Sequence, residues 1–248
     1  TGTIKEKSDE FLVLKTAHGE LKLNVASIKK IEEENYKGDY VYASPHYTRY
    51  FFAPAGRPLE KGDAYYQNLM LFGNFVNVGV TNNISLGGGF EFVSLFSGST
   101  PVVFLTPKAG FKIADRTYAG AGSFLIGIPS SSFGSSSGMD FAGIVFGSIT
   151  RGSKDAHASI GVGYGVANGN WANYPVVNLS GYVRAAKSIG FISENYFIPA
   201  FDVDDDGIII AIIGPRIMSR KSAFDLGIMF AVGENAQPLP YVGYSVAF

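Results

Sequence analysis

The stretch His157-Ala-Ser-Ile-Gly-Val-Gly-Tyr164 sets Ala158, Ile160, Val162 and Tyr164 on one side of an extended chain, and His157, Ser159, Gly161 and Gly163 on the other. Successive side chains of a strand point to opposite faces, so a period of two is the mark of a β-strand with two different environments. The pattern recurs. Ile84, Leu86, Phe90 and Phe92 oppose Ser85, Gly87, Gly89 and Glu91, while Val177, Leu179, Gly181 and Val183 oppose Asn178, Ser180, Tyr182 and Arg184. Phe224, Leu226, Ile228 and Phe230 oppose Asp225 and Gly227. Repeated over segments of about ten residues, this alternation predicts an all-β protein.

Composition says what the apolar face meets. The 248 residues are 46% hydrophobic and 14% aromatic but only 17% charged, against roughly 25% charged in soluble domains. Mean hydropathy is +0.15. No run approaches the 18 or more apolar residues of a spanning helix: the purest, Ile208 to Ile213, has six. The charge-free interval Thr117 to Met139 is interrupted by Pro129, serines and glycines. Without helices, only a closed β-barrel crosses a bilayer with its backbone groups paired, so the expectation is a closed antiparallel transmembrane β-barrel. A soluble sandwich or lipocalin-like barrel also alternates, but its outer face should carry more charge. A net charge of −1 supplies no basic footprint for nucleic acid, and the absence of cysteine excludes disulfides and thiolate metal sites.

The chain divides into two regions. Residues 1–37 hold 14 charged residues, seven of each sign, and the composition changes near Gly38. The predicted domains are therefore a small β-module over 1–38 and a barrel over 39–248. In the module, Gly2-Thr-Ile4, Glu10 to Thr16, a His18-Gly19 turn, Glu20 to Asn24 and Ile28 to Ile31 resemble the opening strands of an SH3-like or LSm-like small barrel. RNA binding is not carried over, because the charges balance and no stacking aromatics interleave with them.

Candidate barrel strands fall at 45–54, 64–80, 84–96, 101–113, 117–128, 138–150, 156–166, 174–184, 188–198, 206–217, 222–232 and 239–248, about twelve in all. Their connections alternate, imperfectly, between long and short. In a bacterial outer-membrane barrel the short turns are periplasmic and the long loops extracellular, which sets the N-terminal module and the C-terminus on the periplasmic side. No charged-then-apolar leader precedes Thr1, and for a barrel the expectation is a secretory signal that has been removed.

The final residues, Tyr241-Val-Gly243-Tyr-Ser-Val246-Ala-Phe248, resemble the C-terminal assembly signal of bacterial outer-membrane proteins. "APAGRPLEKGDAYYQN" (Ala53 to Asn68) followed by "GVTNNISLGGGFE" (Gly79 to Glu91) resembles outer-membrane barrel proteins of unassigned function from Bacteroidota. That resemblance implies fold and location, with outer-membrane lipid as surroundings, and no activity.

The face assignment predicts lumen charges at Arg49, Glu91, Lys108, Lys112, Arg184, Glu194, Arg216 and Asp225. Mixed signs in a narrow barrel favour a lumen occluded by ion pairs over a weakly anion-preferring pore. Outer-membrane barrel enzymes use a rim Asp–His set or an outer-wall Ser–His pair; the three histidines here, His18, His46 and His157, lie in the module or at periplasmic strand ends. His157 and Ser159 share a face without a third partner, so no enzyme activity is expected. Asp202, Asp204 and Asp206, followed by Gly207, match the first half of a calcium loop, but position twelve is Ile213 where a bidentate Glu is needed. Calcium is thus the one cofactor suggested. Gly161-Val-Gly163-Tyr-Gly165 lacks the Lys-Ser/Thr of a phosphate loop and reads as lumen-side glycines, and Asn178-Leu-Ser180 lies mid-strand, where no glycan is attached. The function expected is that of a non-catalytic accessory or scaffold subunit of a larger cell-envelope assembly with protein partners. A narrow channel for small solutes is the alternative.

Overall fold

A computed structural model of the chain describes residues 3–16, 19–28, 42–96, 98–129, 138–199, 207–232 and 237–248. Contacts divide the molecule into two units, Thr1–Ala43 and Ser44–Phe248. In the first, β1 (Thr3–Lys7), β2 (Phe11–Thr16) and β3 (Gly19–Asn24) form an antiparallel sheet in that order. Leu12 is its buried residue among those described, and Asn24 caps a 3-10 turn at Val25–Ser27 by accepting from the Ala26 N–H.

The second unit is a closed antiparallel barrel of twelve strands. Around the wall these are β4 (Ala64–Leu69), β5 (Gly73–Gly79), β6 (Ile84–Glu91), the interrupted strand β7 (Val103–Leu105) with β8 (Lys108–Ala114), then β9 (Thr117–Pro129), β10 (Met139–Gly152) and β11 (Ala156–Ala167). A two-residue β12 (Asn170–Trp171) pairs only with the end of β11. The wall continues through β13 (Val176–Ala186), β14 (Ile189–Ile198), β15 (Ile208–Met218), β16 (Ser222–Val232) and β17 (Leu239–Ala247). Pairing of β17 with β4, from Gly243↔Leu69 to Ala247↔Tyr65, closes the ring and leaves no edge unpaired. The β7–β8 interruption falls at Thr106-Pro107, where proline has no N–H to give the ladder. Both halves pair with β6 and β9.

The predicted number of strands is met, but by two corrections that cancel. The 45–54 segment forms no wall strand; it lies inside the barrel. The 64–80 segment is two strands, β4 and β5, joined by a tight hairpin in which the Phe72 N–H bonds the Leu69 carbonyl at 3.0 Å. Met70 and Leu71 take φ of 52° and 67°, the left-handed pair of a type I′ turn that Asn-Gly usually supplies. Neither residue announces a turn, which is why the segment reads as one strand.

Alternation is kept around the wall. Along β11, Ala156, Ala158, Ile160, Val162 and Tyr164 are exposed while His157, Ser159, Gly161 and Gly163 are buried. Leu86, Phe111, Ile149, Leu179, Phe191, Ile213, Ile228 and Tyr244 are likewise exposed on the outer face. Inward positions carry Thr150, Ser180, Glu194, Arg216, Asp225 and Ser245, all buried. The turns at one end are short (80–83, 115–116, 153–155, 187–188, 219–221), and Phe248 lies at this end with its N–H on the Ala64 carbonyl, 2.9 Å.

The hairpin geometry makes a checkable prediction. A non-glycine left-handed residue costs about 1 kcal/mol, and the Leu71 side chain is 58% exposed, so Leu71→Gly loses little packing. Glycine's added unfolded-chain entropy takes back about 0.5 kcal/mol, so chemical denaturation of the folded barrel should show Leu71→Gly more stable by about 0.5 kcal/mol; lower stability would contradict the strained turn.

Candidate functional site: a segment folded into the lumen

Residues 44–62 enter and leave the barrel at its short-turn end. The Ser44 N–H donates to Asp155 Oδ1 in the β10–β11 turn at 3.2 Å, and the Gly62 N–H to the Gly79 carbonyl at 2.9 Å. Between them the chain turns back on itself: the Tyr50 N–H bonds the Ala53 carbonyl and the Ala55 N–H the Thr48 carbonyl, each at 2.9 Å. Arg49 and Pro54 form an antiparallel bridge. Tyr50, Phe51 and Ala55 are wholly buried.

A backbone buried this way needs a partner for every N–H and C=O, and the wall supplies many of them. At the turn's tip, three successive N–H groups converge on Glu194: Phe51 to Oε2 at 2.8 Å, Phe52 to Oε2 at 3.1 Å and Ala53 to Oε1 at 3.1 Å. Successive amides around a carboxylate form an anion-binding nest, and the Tyr196 O–H adds a bond to Oε1 at 2.6 Å. The carbonyls go to wall donors. Arg216 donates from Nη1 to the His46 carbonyl (3.0 Å) and from Nη2 to the Tyr50 carbonyl (2.9 Å); the Tyr241 O–H reaches the Phe51 carbonyl (3.1 Å). Lys108 Nζ donates to the carbonyls of Arg57 (2.6 Å) and Thr48 (3.3 Å). The Gly56 N–H finds Thr150 Oγ1 at 2.7 Å, and the Tyr50 and Ser159 hydroxyls are hydrogen-bonded at 2.6 Å, either able to donate.

Charge joins the same groups. Arg216 on β15 and Asp225 on β16 are direct cross-strand partners, bonded through Nε–Oδ1 at 2.6 Å and Nη2–Oδ2 at 2.9 Å. Arg49 of the inserted segment adds a second guanidinium, with Nη1 to Asp225 Oδ2 at 3.0 Å and Nη2 to Ser245 Oγ at 2.6 Å. Fork geometry and full burial put this cluster among the strong charge-assisted contacts, and removing one member strands the others without water. Burial, followed by Arg49 and Arg216, holds the His46 imidazole well below its ordinary range, so it stays neutral and adds no third cation.

Close approach explains two glycines. A Cβ on Gly120 would stand 2.9 Å from Gly56 Cα, and one on Gly110 would stand 2.8 Å from the Gly56 carbonyl oxygen. These wall glycines are gaps into which the inserted backbone fits. Arg57 lies beside them, its guanidinium 4.1 Å from the Tyr118 ring centroid.

Of the eight predicted lumen charges, Lys108, Glu194, Arg216 and Asp225 meet inside the barrel around the inserted segment. Arg49 meets them from that segment rather than from a strand. Arg184 is buried at the short-turn end, paired with Asp155 at 2.8 Å. The remaining two lie at the barrel's ends, away from the segment. Glu91 sits at the far end of β6 and accepts from the Val93 and Ser94 N–H groups of a single helical turn, α1 (Val93–Phe96). Lys112 is exposed near the β8–β9 turn. His157 is buried against the rings of Tyr50 and Tyr182, each at 5.3 Å, with Nδ1 3.1 Å from the Ser153 carbonyl. Its neighbour Ser159 bonds Tyr50 and Thr150, so the two do not form a nucleophile–base pair. His18 and the calcium candidates Asp202, Asp204 and Asp206 lie outside the described residues. Among the described residues no group of three or more His, Asp or Glu could hold a metal.

Sequence reading missed Thr150, Tyr241 and Ser245 as partners of the segment. The available signal was Pro45 and Pro54 bounding an apparent strand, since proline gives a ladder no N–H and is infrequent in paired strands. No protein-family model, curated protein or solved structure matches the chain.

Removing the nest carboxylate by Glu194→Ala leaves three buried N–H groups without an acceptor, a loss of about 2 kcal/mol. Hydrogen exchange should show the Phe51, Phe52 and Ala53 amides opening roughly 30-fold faster while mid-strand β11 amides are unchanged. Unchanged exchange at the three amides would contradict the nest.

Proposed function

We propose that this chain is an integral outer-membrane β-barrel serving as a non-catalytic accessory or scaffold subunit of a larger cell-envelope assembly, of the outer-membrane protein assembly or secretion type. The observation that carries the reading is the chain's own residues 44–62 folded into the lumen and tied to the wall by buried ions and hydrogen bonds. A barrel built to conduct solutes has no use for so many bonds holding its bore shut. The apolar outer face suits lipid, for which the closed ring leaves no unpaired edge. Short turns at the end where Ser44 enters and Phe248 lies support a periplasmic position for both. On this reading the charged N-terminal region, with its small β-sheet, is the periplasmic, water-facing element available to a protein partner, and its likeness to SH3-like or LSm-like modules belongs to the same proposal.

Two measurements on the full chain test it. Mild detergent extraction from the native membrane and tagged pull-down, against a matched barrel as control, should give reproducible stoichiometric envelope partners. In planar bilayers the purified protein should show no steady conductance. A barrel that purifies alone overturns the subunit reading, and steady conductance overturns the closed lumen and favours the narrow solute channel.

A further inference from the structure

The inserted segment does not fill the barrel. A cavity of about 260 Å³ remains between its turn and the wall, below the roughly 300–1,000 Å³ of pockets for drug-sized ligands. Most of its surface is apolar: Phe52 of the segment faces it, with Phe75, Phe124, Ile144 and Phe146 of the wall. Phe75 and Phe124 stack with Phe104 at centroid distances of 4.8 and 5.7 Å, a rigid aromatic side.

The polar lining of the same cavity includes two cations among neutral groups such as Gln67, Asn77 and Thr106. Lys108 and Arg49 both line it. Arg49 is satisfied in charge by Asp225, but its Nε is buried with no hydrogen-bond partner. Lys108 spends two N–H groups on the Thr48 and Arg57 carbonyls, and no acid pairs with it among the described residues. Nearby Arg57 also lacks a carboxylate. Among the described residues, then, Arg49 and Arg216 share Asp225 while Lys108 and Arg57 have no carboxylate. An unpaired cation inside a barrel is costly unless an anion joins it or, for a lysine, it gives up its proton. Ser148 Oγ, buried and without a partner, is a further polar atom on the cavity wall.

We infer that the cavity is a binding site for a small apolar monoanion, a carboxylate on a short hydrocarbon body, with Lys108 contacting the carboxylate and the aromatic side holding the hydrocarbon. This goes beyond the scaffold reading and does not depend on a protein partner. Because Phe52, Arg49 and Thr48 belong to both the inserted segment and the cavity lining, an occupant also braces that segment.

The probe is octanoate labelled with ¹³C at its carboxylate, added to the full chain in lipid nanodiscs, with empty nanodiscs as reference. A bound carboxylate resonance should appear, displaced by unlabelled octanoate and not by octanol at the same concentration. Lys108→Met should weaken binding about tenfold or more. Ser148→Phe, which fills the cavity and breaks no hydrogen bond, should abolish it in a barrel that still folds. Absence of a bound resonance overturns the inference. So does displacement by octanol as effective as by octanoate, or undiminished binding in Ser148→Phe.

Discussion

Everything inside the barrel depends on Arg216. It is wholly buried, yet its guanidinium holds both oxygens of Asp225 on the next strand and the carbonyls of His46 and Tyr50 on the inserted segment. A lone arginine there would be untenable, and a simple pair with Asp225 would leave donors idle. The wall needs the segment to satisfy its charge, and the segment needs the wall to satisfy its backbone. That reciprocity makes the lumen one polar network rather than a bore with a loop resting in it.

From this constraint the rest of the interior follows. The turn at Tyr50–Ala53 delivers its amides to Glu194, the wall glycines Gly110 and Gly120 clear space for Gly56, and Phe51 packs on Tyr241 with ring centroids 4.7 Å apart. What the segment leaves uncovered is a mostly apolar cavity whose lining includes Lys108 and Arg49. The outer wall is set by a separate requirement, an apolar face of alternate residues that closes on itself.

How much of this the sequence displays depends on the physics behind each signal. Alternation in β6, β11, β13 and β16 is legible because each of those strands separates two unlike environments, and a period of two records that directly. The 45–54 segment is also aromatic and apolar, but it is buried among wall side chains rather than set between the outer face and the lumen, and composition alone does not tell these burials apart. The Met70-Leu71 turn is illegible because its left-handed residues carry no glycine or asparagine; the surrounding pairing imposes the conformation against local preference.

The candidate site was legible in part. Lys108, Glu194, Arg216 and Asp225 stand out as charges on otherwise apolar strands, and their mixture of signs suggests mutual pairing. Arg216 and Asp225 do pair with each other, but Lys108, Glu194 and the rest of Arg216 bond backbone groups of the segment, and main-chain carbonyls and amides carry no mark in a sequence. Glu91, at inward parity, is bonded to a neighbouring helical turn rather than to the segment. The central claim is that residues 44–62 are folded into the lumen, and proton–proton nuclear Overhauser spectroscopy on the folded, selectively labelled protein tests it most directly. Cross-peaks between the Phe51 and Tyr241 rings, absent when Tyr241 is replaced, are the result this structure predicts. A segment with random-coil shifts and no cross-peaks to the wall would contradict it.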